Sequence, residues 1–232
     1  MAHYFYKTRN PVLETLGQIA MIASLVVAIL YPFNILPFNP IFVKGSAVGL
    51  LALYTLFRVR AFDHVLLIIV LAANAIGDMQ LAQNTEEAML EAMRSFMAGH
   101  ILLTLIFLRN RTSVYDLSSG RVTGAALLWA FAGMSLVFLW PNLGADRTDI
   151  LIYTGALIAM ATAGLFSRYN LRMVGYGALL YVISDSLIAA DTFLLDMSWL
   201  GPVTWGLYYI GQLLITAGVL LAADKDKSFP IR

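Results

Sequence analysis

Eight apolar stretches, each about as long as a bilayer is thick, take up most of this chain and leave little choice of fold. They run over residues 12–30, 41–57, 64–82, 94–108, 122–140, 150–166, 173–190 and 203–222. A helix needs about 20 apolar residues to cross the hydrocarbon core. Eight such helices with short connections account for all 232 residues, so a single transmembrane domain over 1–232 is expected, with no room for a soluble one. None of the stretches alternates apolar and polar residues over the roughly ten positions of a membrane β-strand, which argues against a barrel. Breakers fall between the stretches, as at Pro32, Pro37 and Pro40, and at Pro141-Asn142-Leu143-Gly144. The first stretch follows Lys7 and Arg9. It exceeds the roughly 7–15 apolar residues of a signal peptide and shows no fitting small-residue cleavage site, so it reads as an uncleaved first helix. The expected fold is an all-α polytopic transmembrane bundle.

Charge supports this and adds an orientation. Only 12% of residues are charged and 60% are hydrophobic, whereas a soluble domain carries about 25% charged residues. Soluble, disordered and nucleic-acid-binding folds are excluded, and a net charge of +1 implies no polyanionic partner. Cysteine is absent, which removes disulfides, thiol catalysis and thiolate-bound metals. Three histidines, His3, His64 and His100, leave little for a histidine metal site. No cofactor and no metal is expected. Twelve of the 15 basic residues fall on one side: Lys7, Arg9, Arg58, Arg60, Arg109, Arg111, Arg121, Arg168, Arg172, Lys225, Lys227 and Arg232. Lys44, Arg94 and Arg147 fall on the other. The excess of Lys and Arg in cytoplasmic loops places both termini in the cytoplasm, which requires an even number of spans. Seven acidic residues, Glu86, Glu87, Glu91, Asp146, Asp149, Asp191 and Asp196, lie on the outer side.

Two carboxylates stand deep in the predicted spans, Asp78 in the third and Asp185 in the seventh. An ionisable group at mid-membrane costs about 3 kcal/mol on insertion scales, faces the bundle interior and is a functional candidate by default. At 1.5 Å per residue, Asp78 lies roughly 22 Å from Asp63 and Asp185 roughly 20 Å from Arg172, both in the outer half of the core. His100, Tyr208, Tyr209 and Gln212 fall in the same layer. Asn74 shares a helix face with Asp78, Tyr181 with Asp185, and Tyr208 with Gln212, each pair at i, i+4. Gly77, Gly177 and Gly211 permit close helix approach at this level.

Asp78 and Asp185 are therefore the candidate catalytic residues, and Asn74, His100, Tyr181, Tyr208, Tyr209 and Gln212 the candidate substrate-binding residues. Each has a plainer reading. The aspartates also serve as interhelical hydrogen-bond anchors, the tyrosines as interface-belt residues, and Asn74, Gln212 and His100 as packing or helix–helix contacts. Arg94 either holds a phosphate at the mouth of the site or pairs with Glu91 one turn away, and the pairing is the better reading. Two buried carboxylates tend to divide into a proton donor and a charge stabiliser, so acid–base hydrolysis is the simplest enzymatic reading. A small proton-coupled transporter of lipid-like solutes uses intramembrane carboxylates too. Against it, the halves show no convincing inverted repeat and no helix is broken by proline in mid-span. A non-catalytic partner whose aspartates lock the bundle is the third reading.

At these residues the chain resembles the YhhN / TMEM86 family of lysoplasmalogenases. The matching pieces are Gly77-Asp78-x-x-Leu81, Phe96-x-x-Gly99-His100, Gly177-Ala178-x-Leu180-x-x-x-Ser184-Asp185-x-x-x-Ala189 and Tyr208-Tyr209-x-x-Gln212-x-Leu214-Ile215. Where the family often has a tyrosine three residues after the helix 4 histidine, this chain has Leu103. The resemblance implies hydrolysis of the vinyl ether of a lysoplasmalogen to a fatty aldehyde and glycerophosphoethanolamine or glycerophosphocholine. One of Asp78 and Asp185 then delivers a proton to carbon, and the other stabilises the oxocarbenium ion and activates water, as carboxylate pairs do in glycosidases. It further implies a lysophospholipid substrate, the bilayer as surroundings, and the inner membrane if the source is bacterial.

Overall fold

The computed structural model describes residues 10–195, 197 and 199–225. His3, Lys7, Arg9, Asp196, Lys227 and Arg232 lie outside the described residues. Eight long helices follow in order: α1 (Pro11–Leu30), α2 (Pro40–Phe57), α3 (Phe62–Leu81), α4 (Glu86–Arg109), α5 (Ser119–Leu139), α6 (Arg147–Leu165), α7 (Tyr176–Ala190) and α8 (Leu200–Lys225). Each is long and apolar enough to cross a membrane, α7 together with the turns on both sides of it as Leu171–Leu195, and the protein is a multi-pass membrane protein. No strand occurs among the described residues. The helices alternate in direction, so α1 begins and α8 finishes at the same end of the bundle. This is the terminal end, and the opposite one is the distal end.

Helix starts are set by local chemistry. Asn10 and Asn39 cap α1 and α2 by accepting the backbone N–H of Val12 at 3.0 Å and Ile41 at 2.9 Å. Each cap is followed by proline, whose missing N–H costs nothing in the first turn. The apolar pattern places the start of the fourth helix at Arg94, but α4 begins at Glu86. Thr85 caps it through the Ala88 N–H at 3.2 Å, and Glu86 and Glu87 sit in the first turn, where carboxylates suit the helix dipole. Charge therefore extends this helix beyond its apolar part. Wider π turns, Leu171–Gly175 and Asp191–Leu195, frame α7 on both sides. Such turns often occur at functional sites.

α3 lies between α2 and α4, and α8 packs on α7 while touching α1, α2 and α3. α5 turns Leu127, Phe131, Met134 and Phe138 outward, a face suited to lipid. Between helices in lipid there is no hydrophobic driving force, so association rests on close packing and polar contacts. Small residues provide the first. A methyl placed on Gly177 of α7 would lie 2.8 Å from the Gly211 carbonyl of α8, and one on Gly211 would lie 2.8 Å from the Gly177 carbonyl. Gly77 of α3 lies against the Phe96 ring of α4, with 2.9 Å left for a methyl.

At the terminal end, polar bonds tie the α4–α5 and α6–α7 connections together. Thr112 N–H donates to the Phe166 carbonyl at 2.8 Å and Arg168 N–H to the Asn110 carbonyl at 2.7 Å. Arg121 donates from Nη1 to the carbonyls of Leu165 and Ser167, both at 2.6 Å. Asp63 accepts from Arg109 at 2.9 Å, Asn110 at 2.7 Å and Tyr169 at 3.4 Å. Burial, together with the Asp63 carboxylate, pushes the Tyr169 hydroxyl above the ordinary tyrosine range, so it stays a donor. The arginines counted for orientation thus also close this end of the bundle. Arg121→Met is expected to destabilise by about 2–3 kcal/mol through two lost charge-assisted bonds. Thermal unfolding in detergent reads this as a lower midpoint with unchanged helical content.

Candidate active site

Four ionisable side chains on four helices face the interior near the distal end. Lys44 of α2, Asp78 of α3, Tyr153 of α6 and Asp185 of α7 stand about 4–9 Å below the distal ends of their own helices at 1.5 Å per residue. Helices alternating in direction bring to one level positions that are 32 to 141 residues apart in sequence.

Around Asp185 the groups are closely knit. The Tyr153 hydroxyl donates to Asp185 Oδ2 at 2.6 Å. It also lies 3.2 Å from Nε2 of His100, which stands 3.7 Å from the same carboxylate oxygen. His100 comes from α4, is fully buried, and is held between the rings of Tyr153 and Tyr181 at 5.4 and 4.9 Å. Asp78 has a sparser setting. It is 1% exposed and accepts from the Tyr208 hydroxyl of α8 at 2.9 Å. Tyr208 packs against Phe96, Tyr181 and Trp205. The sequence of contacts Asp78–Tyr208–Tyr181–His100–Tyr153–Asp185 is therefore unbroken.

The residues singled out from sequence do not all join this chain of contacts. Asp78, His100, Tyr181, Tyr208 and Asp185 do. Asn74 points toward α4, where a methyl on Gly99 would run into its carboxamide. Gln212 faces the Tyr181 hydroxyl. Tyr209, adjacent to Tyr208, turns away to α1, where its hydroxyl lies 2.6 Å from Ser24 Oγ, which donates to the Ala47 carbonyl at 2.5 Å. Ser184 turns to the Thr204 carbonyl at 3.0 Å, as its 100° offset from Asp185 requires. Arg94 is exposed, and the Glu91 expected to pair with it lies 3.4 Å from Gln80 Nε2 instead. Leu103 is packed into the apolar core, and the hydroxyl beside His100 comes from Tyr153.

Tyr153, Trp205 and Lys44 are participants that the sequence reading missed. Tyr153 is a lone tyrosine in an otherwise apolar stretch. Its one available signal is its depth, about 9 Å from the distal start of its helix, level with the aspartates. Trp205 donates from Nε1 to the Ala28 carbonyl at 2.8 Å and stacks near Tyr209 at 6.2 Å.

Several polar atoms in this layer remain unpaired. The Asn74 and Gln212 carboxamides, the Tyr181 hydroxyl, His100 Nδ1 and, one turn deeper on α8, Thr216 Oγ1 are buried without a hydrogen bond of good geometry among the described residues, although Gln212 and Tyr208 stand near the Tyr181 hydroxyl. Buried polar groups are nearly always satisfied, because each one left over costs about 1–3 kcal/mol. These donors and acceptors surround the aspartate pair. Asn74, Asp78, His100, Tyr181 and Gln212 are each at most 1% exposed.

Lysoplasmalogenase of Mycobacterium bovis (strain ATCC BAA-935 / AF2122/97) is 32% identical over 109 residues, 46% of this chain and 42% of that protein. Lysoplasmalogenase TMEM86A of Bos taurus is 25% identical over 168 residues, 68% of this chain and 67% of that protein. Lysoplasmalogenase TMEM86B of Rattus norvegicus is 30% identical over 151 residues, 65% of this chain and 59% of that protein. The chain thus spans less than half the length of its mycobacterial relative. No solved structure matches. The sequence profile of the YhhN family matches residues 39–219, from the cap of α2 to the last turns of α8 and across every residue of the aspartate layer, and the chain belongs to the YhhN family.

Proposed function

We propose that this protein hydrolyses the vinyl ether bond of lysoplasmalogens, with Asp78 and Asp185 as the acid–base pair. The observation that carries the proposal is the buried aspartate pair ringed by unpaired polar atoms, in a chain similar to proteins named lysoplasmalogenase. The enol ether R–CH=CH–O–R′ reacts when one aspartate gives its proton to the β-carbon, leaving the aspartate ionised and the oxocarbenium ion R–CH2–CH=O⁺–R′. Water adds to the cationic carbon and its proton passes to the other aspartate, giving a hemiacetal. The hemiacetal collapses as its hydroxyl proton moves to the departing oxygen, releasing the aldehyde R–CH2–CHO and the glycerol hydroxyl of R′OH.

The surroundings suggest a division of labour. Asp185 accepts one hydrogen bond and stands beside His100, which suits the residue that faces the cation and takes up the proton. Asp78, with Tyr208 as its single hydrogen-bond donor among the described residues, suits the proton donor. Asn74, Tyr181 and Gln212 are placed to hold the glycerol hydroxyl and the attacking water. Tyr209 supports Trp205 and the α1 contact. The positive-inside bias puts the site in the outer half of the membrane, and of the cytoplasmic membrane if the source is bacterial. A single-chain lipid then reaches the site with its head at the interface and its tail in the bundle.

Purified protein in detergent is expected to release fatty aldehyde from a lysoplasmalogen and no fatty acid from the corresponding acyl lysolipid. Fatty acid without aldehyde would replace vinyl ether hydrolysis by ester hydrolysis. Protein inert in detergent that drives solute uptake into liposomes would make it a carrier.

Tyr153 orients Asp185 in this scheme. Tyr153→Phe removes a 2.6 Å bond to the carboxylate and the link to His100. Loss of a hydrogen bond to a charged group is worth about 1.5–3 kcal/mol, so kcat is expected to fall about 10- to 100-fold. KM and helical content should change little. Steady-state aldehyde release over a concentration series checks this.

A further inference from the structure

A lysine inside a bilayer costs about 3 kcal/mol and ordinarily extends its ammonium to the interface or pairs with a carboxylate. Lys44 does neither. It is half-buried in the second turn of α2, and its Nζ lies 5.8 Å from the centroid of Trp205 on α8. That ring is fixed by its bond to Ala28 and touches Tyr208, the partner of Asp78. The ammonium is thus drawn inward to the wall of the site. No carboxylate among the described residues comes within ion-pair distance of it, and Asp78 is the carboxylate whose charge reaches it. Its N–H donors have no oxygen acceptor among the described residues. The other two distal cations are exposed: Arg94, and Arg147 over Trp140 at 5.4 Å.

We propose that Lys44 docks the phosphate of a glycerophospholipid headgroup and so sets the vinyl ether against the aspartates. This rests on the hydrolase assignment above. The chemistry fits in span and charge. Three carbons and one oxygen separate the ether oxygen from phosphorus in the substrate. Lys44 and Asp78 stand on adjacent helices, about 6 and 4 Å below their distal ends. A phosphodiester carries one negative charge. Once bound, it answers the ammonium that Asp78 otherwise faces alone.

The test compares wild type, Lys44→Met and Lys44→Arg on lysoplasmenylethanolamine and on a 1-alkenylglycerol that lacks phosphate. Lys44→Met is expected to raise KM for the phosphorylated substrate about 10- to 100-fold with kcat nearly unchanged, as for loss of a charge-assisted contact. It should act on the alkenylglycerol as wild type does, and Lys44→Arg should keep most of the affinity. Equal losses on both substrates, or a fall in kcat at unchanged KM, would make Lys44 a modulator of Asp78 and overturn the assignment. So would no change at all. Binding of a saturated 1-alkyl lysophospholipid, which has no vinyl ether to cleave, is measured in parallel. It should weaken in Lys44→Met, and equal binding overturns the proposal even if neither substrate is hydrolysed, a result that by itself removes the hydrolase assignment alone. Glycerophosphoethanolamine should displace the analogue far better than inorganic phosphate. Equal displacement would make this a site for free phosphate, not for a lipid headgroup.

Discussion

Asp78→Asn and Asp185→Asn are each expected to lower aldehyde release by about 1,000-fold, within the range that a positioned acid or base contributes. Both substitutions keep the shape of the side chain. In each variant the new amide oxygen still accepts the bond that the carboxylate took, from Tyr153 in the α7 variant and from Tyr208 in the α3 variant. The hydrogen bonds that hold α6 to α7 and α3 to α8 therefore survive. What each variant loses is an exchangeable proton or a full negative charge. The double variant is expected to be little worse than either single one, because groups that act as a unit in one transition state are not additive. Rates for the three variants, with thermal unfolding as a check on the fold, decide this. Retention of near wild-type activity in either single variant would leave the other aspartate acting alone. Independent multiplication of the two losses would separate their roles.

Gly177→Val is expected to have the second largest effect, on stability and activity together. The added β-carbon meets backbone, namely the Gly211 carbonyl at 2.8 Å, and also Ile215 Cγ1 at 3.0 Å and Leu214 Cβ at 3.1 Å. Backbone cannot rotate out of the way, so α7 and α8 must part. Overpacking of this kind costs about 1–3 kcal/mol. Tyr181 and Asp185 stand one and two turns further along α7, and Tyr208 and Gln212 flank Gly211 on α8, so the site opens with the helices. A misplacement of about 1 Å at reacting groups costs on the order of 100-fold in rate. Gly133→Ala on α5 is the control, since a methyl there meets nothing within 4 Å. The control should leave both unfolding midpoint and aldehyde release unchanged. If Gly177→Val behaved as the control does, the close α7–α8 contact would have no part in building the site.

The spans are legible because apolar length is a strong signal, and the predicted starts fall within three residues of the helix starts in seven of eight cases. The exception, α4, begins with acidic residues that a hydropathy reading rejects and that a capped helix start favours. The aspartate layer is legible through depth. Each helix carries its own ruler of 1.5 Å per residue, and alternating direction turns distant positions into one level. Azimuth is less legible. Tyr208 and Tyr209 are neighbours in sequence at one depth, yet one reaches Asp78 and the other Ser24. Which of them faces the site depends on how α8 is rotated against α1 and α3, and one sequence does not record that rotation. Lys44 escapes a sequence reading for a related reason. It reads there as a loop-side charge that reports orientation, while the direction of its long side chain is set by Trp205, 161 positions later.

The most direct measurement on vinyl ether cleavage by carbon protonation is turnover of a lysoplasmalogen by the purified protein in water enriched in oxygen-18, with the aldehyde reduced as it forms and both products weighed by mass spectrometry. Water that captures an oxocarbenium ion leaves its oxygen in the alcohol derived from the aldehyde, and the glycerophosphoethanolamine keeps its original oxygen. Label in the glycerophosphoethanolamine would mean attack at the glycerol carbon, and it would contradict the acid–base mechanism assigned to Asp78 and Asp185.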